Sequence, residues 1–287
     1  MSLFSQYKDS LKSFDVEEII DLVIYRPISF AFVKLIYPTN ITPNQITVVA
    51  MIFGILGGMF YMFGDYNFFV LAASSFFICN VLDCADGQVA RLKKNGTRIG
   101  RIIDGLIDYV TTIFGFIGAG VALANSVHYG PVFWFLIIAG GISRGFQNMY
   151  FDYFRNLYMR YVYNKVDDVK REIEAYEKFR ADIAKTKGRY VVKFLVDIYV
   201  SYSKWQMKIT KHIVLDVSPE EYKKKNKFIL RLWSWLGSTT HLTSFIIFTL
   251  LYRIDLYFWA TLIFGNIILI ILFIRQKAIL NTIKKAD

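Results

Sequence analysis

Apolar runs of about 20 residues recur along the chain with short polar breaks between them, and a helix of that length crosses a hydrocarbon layer about 30 Å thick. The pattern predicts six such helices, at residues 42–63, 67–92, 96–124, 131–153, 228–251 and 256–274. Ahead of them, residues 16–37 are amphipathic and carry Arg26, Pro27 and Lys34. That stretch reads as a helix lying at a membrane interface and broken at Pro27. The first span has a marked start: Thr42 suits an N-cap and Pro43 the first helical position. Residues 154–227 form a polar insertion between the fourth and fifth spans. Within it, residues 167–185 alternate charge sign like a solvated helix, and residues 190–213 are amphipathic and rich in aromatics, suited to lying on the membrane or packing on the core. The expected fold is all-α and integral to the membrane. It has six transmembrane helices, an N-terminal interfacial amphipathic helix within residues 1–41, and a cytoplasmic helical insertion at 154–227. All belong to one domain over residues 1–287.

Composition agrees: 55% of the 287 residues are hydrophobic and 17% aromatic, with a mean hydropathy of +0.37. The net charge of +11 by itself also suits nucleic-acid binding. The basic residues, however, lie between the apolar runs, where anionic headgroups meet them and where they set orientation; no nucleic-acid partner is expected. The breaks at 64–66 and 125–130 hold no Lys or Arg, whereas the loop at 91–101 holds five: Arg91, Lys93, Lys94, Arg98 and Arg101. The insertion and the tail are basic too, so both termini and the 91–101 loop are expected on the cytoplasmic side of a multi-pass protein. The two cysteines, Cys79 and Cys84, lie five apart within one run, a spacing unsuited to a disulfide; they read as buried small hydrophobes. The first 14 residues are polar and mixed in charge, unlike a cleavable signal peptide.

The second and third spans carry charges where charge is costly. Along them stand Asp83, Asp86-Gly87, Ala90-Arg91, Gly100, Asp104 and Asp108. Asp83 and Asp86 are i,i+3 and share a helical face, as do Asp104 and Asp108 at i,i+4. A short loop makes the two helices antiparallel neighbours, so four carboxylates converge near its end. In a poorly hydrated place such a group either takes up protons or is neutralised by a cation. Oxygen ligands without His or Cys suit Mg²⁺, Mn²⁺ or Ca²⁺. A metal pair there would bridge a pyrophosphate, and one carboxylate would remain to take a proton from a hydroxyl. Gly87, Ala90 and Gly100 leave room for a close ligand, and Arg91 offers a planar donor fork to phosphate. Membrane-end acids paired with nearby Arg or Lys would explain a lone aspartate, not four on two matching faces.

These eight positions, D-x2-D-G-x2-A-R-x8-G-x3-D-x3-D, resemble the signature of the CDP-alcohol phosphotransferase superfamily at every defining residue. The resemblance implies transfer of a substituted phosphate from a CDP-alcohol to an acceptor alcohol with release of CMP, in phospholipid or polar-lipid synthesis. It implies Asp83, Asp86 and Asp104 as ligands of two Mg²⁺ or Mn²⁺ ions, and Asp108 as general base and further ligand. It implies Gly87, Ala90, Arg91 and Gly100 as CDP contacts, and a homodimer with the site open to the cytoplasm. The donor is a CDP-alcohol and the acceptor an alcohol or a lipid; the motif reads the CDP end and does not choose between these branches. The reading from another class is a divalent-cation transporter using the intramembrane aspartates. It predicts acids at the bilayer midplane, whereas these lie towards a basic loop.

The fourth span adds Arg144, Gln147, Asn148 and Asp152 on one stripe. Arg144, Gln147 and Asn148 are acceptor-site candidates, the competing reading for Arg144 being a structural pair or a snorkelling side chain. His241 reads as a hydrogen-bonded helix-packing residue, and Asn80, one turn before Asp83, as its support.

Overall fold

A computed structural model describes residues 3–126, 130, 133–164, 174, 176–182, 190, 193–194, 196–197, 200–201, 204 and 215–283. Apart from short connecting loops, these residues are mainly helical: α1 (Leu3–Ser10), α2 (Arg26–Ile36), α3 (Pro43–Tyr61), α4 (Tyr66–Lys93), α5 (Arg98–Ala124), α6 (Phe133–Tyr163), α7 (Pro219–Trp233), α8 (Ser238–Leu250) and α9 (Ile254–Asn281). The expected helices at 167–185 and 190–213 fall mostly outside the described residues. Three helices, α3, α4 and α9, are long and apolar enough to cross a membrane, and α5 contributes a shorter apolar stretch, Asp108–Ala124. Large apolar side chains such as Ile263, Phe264, Ile267, Ile270 and Ile274 stand exposed along α9, as on a surface that faces lipid. Together these features fit a membrane protein.

The start of α3 is as the sequence predicts. Gln45 N donates to Thr42 Oγ1 at 3.4 Å and Thr42 N to Gln45 Oε1 at 2.9 Å, with Pro43 opening the helix. Two such donors satisfied reciprocally fix where a helix begins. Pro27 does not break its helix. Lacking an N–H, it leaves a carbonyl one turn back without its usual bond, and a π-turn at Asp21–Tyr25 directly precedes α2. Helix α6 runs to Tyr163, ten residues beyond its expected end at 153.

The expected fifth span at 228–251 is corrected to two helices. α7 ends at Trp233, a 3₁₀ turn covers Ser234–Leu236, and Gly237 is extended, with φ −78° and ψ 167°. The break is filled by Glu18. Its Oε1 accepts from Thr239 N at 3.2 Å and its Oε2 from Thr240 N at 3.1 Å, so one carboxyl group satisfies free N–H groups that open α8. A side chain on Gly237 would collide with that carboxylate.

α3, α4 and α5 form the central layer. α3 packs antiparallel to α4 through Gly57 on Phe76 and parallel to α5 through Gly54 on Thr111 and Gly58 on Phe114. A Cβ on Gly118 would strike the Gly58 carbonyl, so α3 and α5 touch backbone to backbone, as small residues allow between membrane helices. Around the far end of this layer lies an aromatic core that includes Tyr61, Phe76, Phe245, Tyr257 and Phe258. Around the other end, Trp233, Phe154, Leu272 and Leu280 pack together.

Two outcomes follow. Gly118→Leu pushes α3 from α5 and should cost on the order of 1–3 kcal/mol, read as a lower melting temperature in detergent; an unchanged midpoint would show that the helices part there without cost. Burial, with the adjacent Asp21 charge, pushes the Glu18 carboxyl up to about 8. The folded chain then holds a proton that the unfolded chain releases near its ordinary value of 4.5, so this group's contribution is greatest in acid and falls as pH rises towards 8. Glu18→Gln should flatten the decline in melting temperature between about pH 5 and 8; an unaltered slope would place its origin elsewhere.

Candidate active site

The hairpin α4–α5 brings the motif together. α4 ends at Lys94, which takes the left-handed conformation at φ 53°. Thr97 then caps α5, its Oγ1 accepting from Gly100 N at 2.9 Å. Phe76 on α4 lies against Gly115 on α5, 2.9 Å from where a Cβ would be. Counting along both antiparallel helices from that contact puts Asp83 level with Asp108, and Asp86 level with the backbone at 104–105. The charges of Asp83, Asp86 and Asp108 all bear on Cys79, whose Sγ packs beside Gly54. These three expected residues therefore converge. Asp104 stands on α5, and its side chain lies outside the described residues. Among the described residues no group of three or more His, Cys, Asp or Glu closes tightly enough to hold an ion.

Asp86 is buried, and the Thr47 hydroxyl of α3 lies 2.5 Å from its Oδ2 and 2.8 Å from the Pro43 carbonyl. Asp83 is half-buried and Asp108 exposed. Arg91 folds back over Gly87, where a Cβ would sit 3.2 Å from Nη2. Its Nε donates to the Ser10 carbonyl at 2.5 Å, and its buried Nη2 has no hydrogen-bond partner among the described residues. Gly100 faces Asn44, whose Oδ1 would collide with any Cβ there. Ala90 packs 3.5 Å from the Cβ position of Gly96. The small motif residues thus keep space open for Arg91, Asn44 and the loop.

Sequence reasoning missed the wall opposite. Glu17, Glu18 and Asp21 are buried in the N-terminal segment. Arg26 Nη2 pairs with Glu17 Oε2 at 3.0 Å, and its Nη1 donates to the Cys84 carbonyl at 3.4 Å, within electrostatic reach of Asp83. Gln88 Nε2 donates to the Arg26 carbonyl at 3.1 Å, and Ser29 Oγ to the Val81 carbonyl at 2.5 Å. α2 is therefore clamped along α4 through the Asp83–Asp86 turn. Arg155 of α6 approaches from the other side, and its charge, with burial, pulls Lys12 down to about 8. The available signal was Glu17, Glu18 and Asp21 inside an apolar stretch, the same costly placement that exposed the motif itself.

The α6 stripe divides. Arg144 Nη1 donates to Thr112 Oγ1 at 3.1 Å, with its guanidinium 5.5 Å from the Phe116 ring. Asn148, one turn on, continues that face, and its buried Oδ1 has no partner among the described residues. Gln147 turns instead to α9. Its Nε2 donates to the Thr261 carbonyl at 3.0 Å and to Asn266 Oδ1 at 3.1 Å, filling the π-turn at Thr261–Gly265. Asp152 pairs with Arg155 at 2.7 Å. Gln147 thus joins α6 to α9 through its Nε2, and its buried Oε1 makes no hydrogen bond among the described residues. His241 is buried between helices and edge-on to Tyr257, and its Nε2 makes no hydrogen bond among the described residues. An open apolar groove of about 380 Å³ lies between α5 and α6, lined by residues including Ile113, Ile117, Trp134 and Ile138; only Thr112 brings it polarity.

Residues 40–161 match the family model described as CDP-alcohol phosphatidyltransferase. No curated protein matches the chain. The matched segment holds all eight motif positions together with α3, α4 and α5, which gather their carboxylates, so the similarity of residues 40–161 to the CDP-alcohol phosphatidyltransferase family falls on the motif and the helices that carry it.

Proposed function

We propose that the chain is a divalent-metal-dependent transferase that moves a substituted phosphate from a CDP-alcohol to an acceptor hydroxyl and releases CMP, in phospholipid or polar-lipid synthesis. The observation that carries this reading is the convergence of Asp83, Asp86 and Asp108 on Cys79, beside an Arg91 whose buried Nη2 has no partner among the described residues. An oxygen-only set of crowded carboxylates fits a hard cation. Asp83, Asp86, Asp104 and Asp108 would hold Mg²⁺ or Mn²⁺, as two ions. Held there, the ions would supply the positive charge that neutralises a pyrophosphate and its departing phosphate oxygen.

The remaining work falls to side chains. Thr47 holds one oxygen of Asp86, which fixes the rotamer of a carboxylate that must not wander. Asp108, exposed on α5, accepts the proton of the attacking hydroxyl at a carboxylate oxygen. Arg91 Nη2 donates to a donor phosphate across Gly87, and Gly87, Ala90 and Gly100 let the nucleotide approach the backbone. The basic loop at 91–101 favours a site on the cytoplasmic side, with both termini there and a multi-pass chain. A homodimer accords with the family resemblance.

Purified protein should release CMP with Mg²⁺ or Mn²⁺, lose activity in chelator and regain it on metal addition. Asp83→Asn or Asp86→Asn should reduce CMP release to background and weaken Mn²⁺ binding; full activity in either would sink the metal assignment. Asp108→Asn should keep Mn²⁺ and CDP binding by calorimetry while kcat drops about 10²–10⁴-fold. Loss of metal at the same step would make Asp108 mainly a ligand.

A further inference from the structure

Three hydrogen bonds grip the back of α4 where the motif begins. Ser29 Oγ donates to the Val81 carbonyl at 2.5 Å, Arg26 Nη1 to the Cys84 carbonyl at 3.4 Å, and Gln88 Nε2 to the Arg26 carbonyl at 3.1 Å. Val81, Cys84 and Gln88 stand at i, i+3 and i+7, on one helical face. At about 100° per residue that face points roughly 160° away from the one bearing Asp83 and Asp86. Tyr25 packs on Val81 and Cys84 from the same side. Helix α2 and the turn before it therefore back the Asp83–Asp86 turn from behind.

Arg26 is the charged member of this grip. Its guanidinium bridges two partners through separate nitrogens, Nη1 to the Cys84 carbonyl and Nη2 to Glu17 Oε2 at 3.0 Å. Both side chains are withdrawn from the surface, Arg26 keeping 14% exposure and Glu17 6%. Neutralising Glu17 takes one nitrogen; the second reaches the α4 backbone between two aspartates, and the Arg26 charge acts on Asp83. Glu17 is fixed in turn. Its Oε1 accepts from Lys12 N at 3.0 Å, and its carbonyl from Arg231 Nη1 of α7 at 2.9 Å. The rotation of α4 is what such a grip controls. A helix with its side chains is about 10–12 Å across, so a turn of about 10° moves a carboxylate by about 1 Å. Metal–oxygen distances tolerate only about 0.2 Å.

We infer that Arg26 and Glu17 are positioning residues for the metal site: Glu17 holds the Arg26 guanidinium, which fixes the rotation of α4 through the Cys84 carbonyl and so the approach of Asp83 and Asp86 to α5. Two effects of Arg26 on a bound cation then oppose each other. Its charge beside Asp83 repels a metal ion, so losing the charge alone would tighten binding. Losing the grip on α4 spoils the ligand geometry and weakens binding; groups that orient metal ligands are typically worth about 10–100-fold in affinity. The direction of the change separates the two. The inference rests on the metal-dependent transferase reading and deepens it.

The test is Mn²⁺ binding to the purified protein without substrate, followed by electron paramagnetic resonance, beside CMP release at rising Mn²⁺. Arg26→Gln should weaken Mn²⁺ binding about tenfold or more, and most of the lost CMP release should return at saturating Mn²⁺. Arg26→Lys keeps the charge, but a single ammonium does not span Glu17 and the Cys84 carbonyl as a planar fork does. It should also weaken binding, and it serves if Arg26→Gln does not fold. Glu17→Gln loosens the guanidinium and should shift Mn²⁺ affinity in the same direction. The double variant Arg26→Gln, Glu17→Gln should match the worse single one, because the two side chains act as one unit. Unchanged or tighter Mn²⁺ binding in folded Arg26→Gln, Arg26→Lys or Glu17→Gln overturns the assignment. So do additive losses in the double variant, or a loss of CMP release that saturating Mn²⁺ does not relieve. A folded wild-type protein that binds no Mn²⁺ and releases no CMP instead overturns the transferase reading on which the positioning rests.

Discussion

Carboxylates crowded together in an apolar helix bundle set the terms for everything around them. Asp83, Asp86 and Asp108 cannot all stay charged there without compensation, because water is scarce and like charges repel. The compensation visible among the described residues is arranged in shells: Thr47 on Asp86, Arg26 near Asp83, Arg91 over Gly87. The N-terminal segment is the outer shell. It brings its own acids, and cations meet two of them: its own Arg26 on Glu17, and Lys223 and Lys227 of α7 on Asp15. Its helix α2 then binds α4 at the turn that bears the motif.

The hairpin could be read from the chain because its signals are local. Period, spacing and a short loop place Asp83 and Asp86 on one face and Asp108 on the opposing one, and a Thr-Pro start fixes α3. What could not be read depends on partners distant in sequence. The helix break at 234–237 exists because Glu18, more than 200 residues away, supplies the cap; an apolar run alone reads as unbroken. Gln147 shares a stripe with Arg144 and Asn148 on paper, but the π-turn in α9 presents the Thr261 carbonyl to Gln147.

Close backbone contact and polar chemistry are linked in this bundle. Gly54, Gly58 and Gly118 draw α3 and α5 together, while Gly57 on Phe76 and Gly54 on Cys79 bring α3 against α4, where Thr47 meets Asp86. Bulkier residues at the crossing would widen the layer, and a hydrogen bond that depends on sub-ångström placement would be the first thing lost.

The π-turn at Thr261–Gly265 gives α9 one residue more than a regular helix would use for that turn. An added residue turns the rest of the helix by about 100°. Before it, Tyr257 and Phe258 face the aromatic core; after it, Leu272, Gln276 and Leu280 face Trp233 and its neighbours. The turn acts as a phase shifter, letting one continuous helix serve two cores whose angular positions differ. A single-residue deletion there would leave the far half of α9 in place while rotating Leu272, Gln276 and Leu280 out of theirs, so the reading frame of the helix surface, rather than its hydrophobicity, is what this short irregularity protects.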